Sequence, residues 1–366
     1  MTLYNYWWLL IWLFLFGGIS IAFIPKQKEM VLGKRVLRWN WLSAAALVVP
    51  YVIWAGWRTN YFGDTGVYRS TFLSMPTGLG SLWPYVSSRR TGYGFVIFEY
   101  LFKSIVSHSD IAFFTVLAAV QMLLLVSVFR KYSRNYWLSI FFFIASTDYL
   151  SWVHNGIRQF LAVTIIFACL PLLIQKKYIL MCIAVLFATS IHTSALIFLP
   201  FIFIVNGRAL NMRTIMYILA MIVAIFFLDR VSDFIVKSME NTEYEGDIDI
   251  FLRDDGTNII RVLFYSVPAF MSWFFRPYID RANDPLINTC ANLSVVSAGV
   301  YVFSFFTSGL LVGALPIYFS LANYILIPWF ITELFDSASA FLIELGFVGV
   351  YSFFFYYQVG VTWGLI

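Results

Sequence analysis

Long apolar runs, broken by short polar stretches, recur from one end of the 366-residue chain to the other. About 20 apolar residues are needed for a helix to cross a bilayer, where a helix satisfies its own backbone polar groups. Runs at 3–24, 39–57, 110–129, 136–150, 157–174, 178–191, 194–206, 214–230, 259–275, 286–306, 314–331 and 338–358 predict twelve spanning helices, several of them short. The pattern lacks the alternating ten-residue segments of a β-barrel. It predicts an all-α polytopic protein, with residues 1–366 forming a single integral membrane domain.

The polar stretches give an orientation. Lys26, Lys28, Lys34, Arg35 and Arg38 lie in the first short loop, and every second loop afterwards is basic: Arg130, Lys131 and Arg134, then Lys176 and Lys177, then Arg208 and Arg213, then Arg276 and Arg281. By the positive-inside rule these loops are cytoplasmic, which puts both termini and the long loops 58–109 and 231–258 outside. The second long loop carries Glu240, Glu243, Glu245, Asp247, Asp249, Asp254 and Asp255 and reads as a solvated segment. A Ca²⁺ loop is the alternative, but the spacing misses the EF-hand pattern. In the first long loop, Gly92 to Val106 is apolar enough to form an interfacial or re-entrant helix, with Glu99 and Lys103 as an i,i+4 pair. As a thirteenth span it would reverse every later loop.

Composition narrows the class further. With 61% hydrophobic and 12% charged residues, the chain is no soluble domain. Aromatic residues make up 20%, and Trp and Tyr gather at run ends as in interfacial belts. The net charge of +5 does not point to nucleic acid, because the basic residues sit where topology puts them. Cys169, Cys182 and Cys290 lie in apolar stretches without metal-ligand spacing, so neither a disulfide nor a zinc site is expected. The first run has no A-x-A cleavage signal and reads as a retained span.

Candidate chemistry gathers in Trp152-Val153-His154-Asn155-Gly156-Ile157-Arg158-Gln159-Phe160-Leu161-Ala162, a polar cluster running into an apolar helix. Polar and ionisable groups at a membrane boundary are costly unless partnered, which makes the cluster the rim of a site. A helix starting near His154 would put His154 and Arg158 on a shared face, and likewise Asn155 and Gln159. An arginine in a first helical turn opposes the macrodipole, so Arg158 calls for an anion, either a ligand phosphate or a protein carboxylate.

Several blocks occur in order. Arg58 precedes Gly63-Asp64-Thr65-Gly66-Val67-Tyr68; then come Asn155 to Ala162, His192-Thr193-Ser194-Ala195-Leu196-Ile197 and, more weakly, Ile317-Tyr318-Phe319 with Ile325-Leu326-Ile327-Pro328. Together they resemble the Wzy-type polysaccharide polymerases of the EpsG-like branch. Family members often carry an acidic residue before the Gly-Tyr of the first long loop and an arginine before the Tyr of the fourth block. This chain has Arg90-Thr91-Gly92-Tyr93 and Ala314 there.

The resemblance implies a GT-C-like architecture and a glycosyltransferase at the periplasmic face of the bacterial inner membrane, extending O-antigen or capsule chains. It would move a growing glycan from undecaprenyl diphosphate to the non-reducing end of a new undecaprenyl-diphosphate-linked repeat unit. Its partners would be those lipid-linked units, the bilayer, a chain-length regulator and a flippase, with no cofactor. A departing glycosyl diphosphate needs fixed positive charge, which arginine's planar fork supplies well. Arg58, Arg69, Arg89, Arg90, Arg158 and Arg261 are the candidate clamps, and Tyr68, Asn155, Gln159, Ser194 and Tyr318 further substrate contacts. Asp64, His154 and His192 are candidate bases for the acceptor hydroxyl.

Each residue also has a plainer reading. Arg58 can snorkel at the interface, Arg89-Arg90 can be solvated or meet headgroups, Arg261 can anchor a helix end, Asp64 suits a turn and His192 a helix cap. Glu344, alone in the last run, can be a packed, hydrogen-bonded carboxyl. Two other functions fit the architecture. A flippase or transporter would place charges near the midplane, often on paired repeats, whereas here they cluster toward one face with no visible repeat. A membrane acyltransferase or ligase would want a dominant His with a carboxylate partner, for which His154 and Asp148 are available. Apart from Asp247-Ile248-Asp249 in the acidic loop, no aspartate pair has the spacing of a nucleotide-sugar metal site, and a lipid diphosphate donor does not need one, so metal-independent transfer is expected.

Overall fold

Proline and left-handed residues cut several of the apolar runs into helices shorter than a bilayer requires. The computed structural model describes residues 5–89, 91–240 and 244–365. Among them, five helices are long and apolar enough to cross a membrane: Asp110–Tyr132, Ile157–Ile174, Pro285–Phe305, Ile317–Leu334 and Ser337–Thr362. Two bent pairs are further candidates, Met212–Phe226 with Leu228–Met239 turning by 95° and Ile259–Phe274 with Arg276–Ala282 turning by 66°. Trp7–Phe23, Tyr136–Ala145, Tyr178–Ile191 and Thr193–Ile204 are apolar but shorter. The protein is a helical membrane protein with five to seven candidate spans by length and composition, where the hydrophobic pattern counted twelve. Run 39–57 breaks at Val48, ahead of Pro50, whose ring cannot continue a helix. Run 136–150 breaks at Thr147, which takes a left-handed φ of 63°.

Two compact units divide the chain: one comprises the residues up to Ala168, Phe187–Thr193 and those from Pro328 onward; the other comprises Cys169–Leu186 and Ser194–Ile327. The first unit opens with α1 (Trp7–Phe23) and a two-stranded hairpin, β1 (Gln27–Val31) and β2 (Lys34–Arg38), paired from Gln27 with Arg38 to Val31 with Lys34. The hydrophobic pattern left this stretch as a basic loop. Then follow α2 (Trp41–Leu47), α3 (Val49–Gly56), α4 (Thr65–Ser74), α5 (Leu82–Ser87), α6 (Tyr93–Leu101), α7 (Asp110–Tyr132), α8 (Tyr136–Ala145), α9 (Asp148–Asn155) and α10 (Ile157–Ala168).

The strut of this unit is α7, packed against α3 and α10. Its ends obey the macrodipole: Ser109 Oγ accepts from the Ala112 N–H at 3.3 Å, Asp110 lies in the first turn, and Arg130 and Lys131 lie in the last. The long stretch 58–109 is folded into α4, α5 and α6. A π-helical turn, Phe102–Val106, continues α6 and loosens the register in which Glu99 and Lys103 would pair. Lys103 Nζ instead donates to the carbonyls of Phe72, Leu73 and Met75 at 2.7, 2.8 and 2.5 Å, closing the C-terminal end of α4.

In the second unit, buried Asn288 and Asn292 of helix Pro285–Phe305 accept from the backbone N–H groups of Ala209 and Leu210 at 2.8 and 2.9 Å. Asn292 also donates to the Val205 and Arg208 carbonyls at 3.0 and 3.1 Å, so one helix face holds the turn before Met212. The acidic stretch is largely helical, including Leu228–Met239 and Ile248–Arg253; Glu243 lies outside the described residues. Asp254 accepts from Ser308 Oγ at 2.6 Å and from the Leu310 and Gly256 N–H groups at 2.8 and 3.1 Å. Burial pushes its carboxyl up, but these bonds outweigh burial and hold it below the usual range.

Replacing Lys103 by Met keeps the aliphatic stem and removes the donors to three carbonyls. Lys103→Met is expected to destabilise the protein by about 1–3 kcal/mol, read as a lower thermal unfolding midpoint of purified protein in detergent.

Candidate functional site

Gly156 divides the polar cluster. It ends α9 with φ −113° and ψ 50°, and the Trp152 ring packs where a Cβ would stand. His154 and Arg158 therefore belong to different helices, whereas the pattern put both on one face of a single helix. Arg158 does fall in the first turn of α10, where its charge opposes the macrodipole.

Arg158 lines a cavity of about 280 Å³ together with Tyr68, Arg89, Thr91, Phe95 and Glu99. Its guanidinium is half-buried and makes no hydrogen bond or ion pair with the described residues. Gly92, at φ 68°, lets the backbone pass close by: a Cβ there would stand 3.3 Å from Arg158 Nη1 and 3.4 Å from the Ile191 carbonyl. Glu99 is 6% exposed, and burial pushes its carboxyl from 4.5 up to about 7, against the pull of Arg158, Arg89 and Lys103. Arg89 lies over the Tyr85 ring, 4.6 Å from its centroid, and donates to the Tyr85 hydroxyl.

Asn155 holds the wall of this cavity. Its Oδ1 accepts from the Asp64 N–H at 2.9 Å, and its backbone carbonyl accepts from the Tyr68 hydroxyl at 2.5 Å. Burial and the nearby Asp64 push the Tyr68 phenol up to about 12, with Arg158 and Arg58 pulling the other way, so the phenol stays protonated and donates. Gly63 sits at φ 54°, and a Cβ on it would come within 2.7 Å of Asn155 Oδ1. The Asp64 side chain is exposed beside this contact and is not part of the cavity lining.

The other candidates are placed elsewhere. Arg58 is wholly buried; it donates to the carbonyls of Ala55, Val153 and His154 and lies 4.5 Å from the Phe114 ring centroid, so it closes the end of α9. Arg69 pairs with Asp110 and Asn60, tying α4 to the start of α7. His154 is buried: Nδ1 must donate to the Leu150 carbonyl at 2.7 Å, which leaves Nε2 to accept from the Tyr6 hydroxyl at 3.1 Å. Burial and Arg58 hold the imidazole neutral. Gln159 is buried on α10, and His192 follows helix Tyr178–Ile191, half-buried. Ser194 and Tyr318 belong to the second unit and share a hydrogen bond of 2.9 Å. Arg261, also there, lies 5.6 Å from the Tyr301 ring centroid. Arg90 lies outside the described residues.

The cavity thus brings together Arg158, Arg89 and Tyr68 from the sequence candidates and adds Glu99. A signal for Glu99 was present: it is a lone carboxylate in an apolar run, where an ionisable group is costly. Its spacing from Lys103 supplied a plainer explanation that the π-helical turn removes. Among the described residues, no three His, Cys, Asp or Glu side chains converge to hold a metal.

A family model, described as the EpsG family, matches residues 41–362. The chain belongs to the EpsG family. No curated protein and no solved structure matches it. As an EpsG-family member it is a polysaccharide-polymerase-like membrane protein of glycosyltransferase type. The residues that line or hold the cavity, from Gly63 to Arg158, fall within the matched stretch.

Gly63 and Asn155 act through one contact in this EpsG-family chain, so their substitutions should not add. Gly63→Ala and Asn155→Ala are each expected to lower the thermal midpoint, and the double variant to fall by less than the sum of the two, since the clash with Asn155 disappears while the strain of an alanine at φ 54° remains. Additive losses in the same unfolding assay would mean that the two residues act independently.

Proposed function

We propose that the protein is a Wzy-type polymerase that uses the Arg158 cavity to join lipid-linked glycans without a metal. The observation that carries this reading is the half-buried guanidinium of Arg158, unanswered by any described residue, in a cavity shared with a protonatable Glu99. A guanidinium partly shielded from water and without an acceptor gains from an anionic ligand. The diphosphate of an undecaprenyl-linked donor has the charge and the paired oxygens that a guanidinium fork fits. Positive-inside bias, with the basic loops cytoplasmic, supports a periplasmic position for the Arg158 cavity at the bacterial inner membrane.

In the reaction, the bond between the sugar C1 and the diphosphate oxygen breaks, and a bond forms between C1 and the acceptor hydroxyl of a new lipid-linked unit. Arg158 and Arg89 take up the charge of the departing undecaprenyl diphosphate. Glu99, ionised, accepts the acceptor's proton. A diphosphate seated on the two arginines offsets their pull on Glu99 and so makes that carboxylate a stronger base. Tyr68, anchored to the Asn155 carbonyl, and Asp64 beside it frame the acceptor side. The chain-length regulator, the flippase and the choice between O-antigen and capsule belong to the cell's assembly line, and this cavity serves any of them.

Glu99→Gln is expected to cost roughly 10²–10⁴ in polymerisation rate and Arg158→Lys roughly 10²–10³, both at normal abundance in membranes. Glycan ladders should collapse to single repeat units that still reach the outer face. Loss of those outer units would indicate a flippase instead.

The pH profile follows from Glu99. Its carboxyl is raised from 4.5 to about 7, so the base form grows as pH rises through 7 and activity should climb there. The linked stability runs the other way: the folded state holds this proton more tightly than the unfolded chain, so stability is highest below 4.5 and declines as pH rises toward 7. Residual activity of Glu99→Gln should lack the rise near 7, measured with reconstituted enzyme and a synthetic lipid-linked acceptor.

A further inference from the structure

A second cavity, of about 350 Å³, lies in the same unit at the C-terminal end of α7. With 23 residues, α7 spans about 35 Å, close to the thickness of a hydrocarbon core. Lys26, Arg38, Arg130 and Arg134 line this cavity, with Glu344 as the carboxylate among its lining residues. Glu344 already accepts from Asn135 Nδ2 at 3.2 Å.

The four cations are unequally satisfied. Arg130 is 3% exposed and pairs with Glu29 at 2.7 Å and with the Trp39 carbonyl at 2.6 Å, while its buried Nε has no partner among the described residues. Arg38 donates to the Lys131 and Leu37 carbonyls at 2.8 and 3.2 Å. Burial pushes the Arg38 guanidinium down, as do Arg134 and Arg130, and Glu29 opposes them. Lys26 and Arg134 are exposed and make no hydrogen bond or ion pair with the described residues. Like charges held this close gain from an anion that bridges them.

We propose that this cavity binds the phosphate of an anionic phospholipid headgroup from the leaflet on the basic side of the membrane. Arginine forks and a lysine point charge recognise a phosphate ester, and basic pockets between helices suit such headgroups. The apolar part of the lining indicates a lipid over a free ion. Ile21 belongs to the lining and is 55% exposed, and Phe14, two turns earlier on the same face of α1, is 42% exposed. Together they form an apolar flank for an acyl chain running away from the headgroup.

The test uses the full-length protein in a mild detergent, titrated with phosphatidylglycerol, phosphatidylcholine or inorganic phosphate, reading the thermal midpoint and the lipid retained in native mass spectrometry. Phosphatidylglycerol is expected to raise the midpoint and to stay bound, and the other two are not. Lys26→Gln with Arg134→Gln should weaken that binding on the order of tenfold or more. Both side chains are exposed, so the variant should fold; an unchanged midpoint without added lipid checks this. If it does not fold, the three titrations of the wild type still decide. Equal responses to phosphatidylglycerol and phosphatidylcholine would overturn the site, as would undiminished binding by the folded variant. An equal response to inorganic phosphate would overturn the lipid.

Discussion

A guanidinium taken out of water needs acceptors for its N–H donors, and this requirement organises the first unit, although Arg58 Nη2 and Arg130 Nε stay buried without a partner among the described residues. Arg58 is answered by backbone carbonyls on α3 and α9 and by the face of Phe114. Arg69 is answered by Asp110 at the start of α7, and Arg130 by Glu29 and the Trp39 carbonyl at its end. In each case the charge pins two segments distant in sequence, so these arginines work as fasteners. Arg158 differs because its neighbours are a glycine, a phenol committed elsewhere and a carboxyl that burial raises to about 7. The contrast is between guanidinium groups that fasten two segments and one that, among the described residues, has no acceptor.

Glu99 shows how finely that contrast is set. Three cations pull its proton off and burial holds it on, with burial the larger effect. Lys103 is one of the three, yet its ammonium is occupied by the last carbonyls of α4. The contact that closes one helix therefore also contributes to the charge balance of the cavity, which ties the chemistry to the fold of the stretch before α7.

Hydrophobic pattern made the class legible: an apolar, helical membrane protein with polar chemistry near Arg158. Span number was less legible, because hydropathy averages over Val48 and Thr147, where one proline and one left-handed residue end helices. The hairpin at 27–38 escaped because its strands are short and its charges read as topology. Candidate residues chosen by chemical type alone mixed fasteners with site groups, since Arg58 and Arg158 look alike until their acceptors are counted. His154 was attractive for the same reason, and only its burial beside Arg58 and its fixed ring contacts identify it as a neutral core residue. Glu99 was hidden by an assumption of regular helical spacing that the π-helical turn breaks.

Asn155 meets the cavity wall in two chemically separate ways. Its side chain fixes the Asp64 amide, while its main-chain carbonyl fixes Tyr68. Sequence change can reach only the first of these, because every amino acid at that position would offer the same carbonyl. The tyrosine is thereby insulated from variation at 155, whereas the Gly63-Asp64 turn is exposed to it. A lineage could remodel the acceptor side through this one position and keep the phenol where it is.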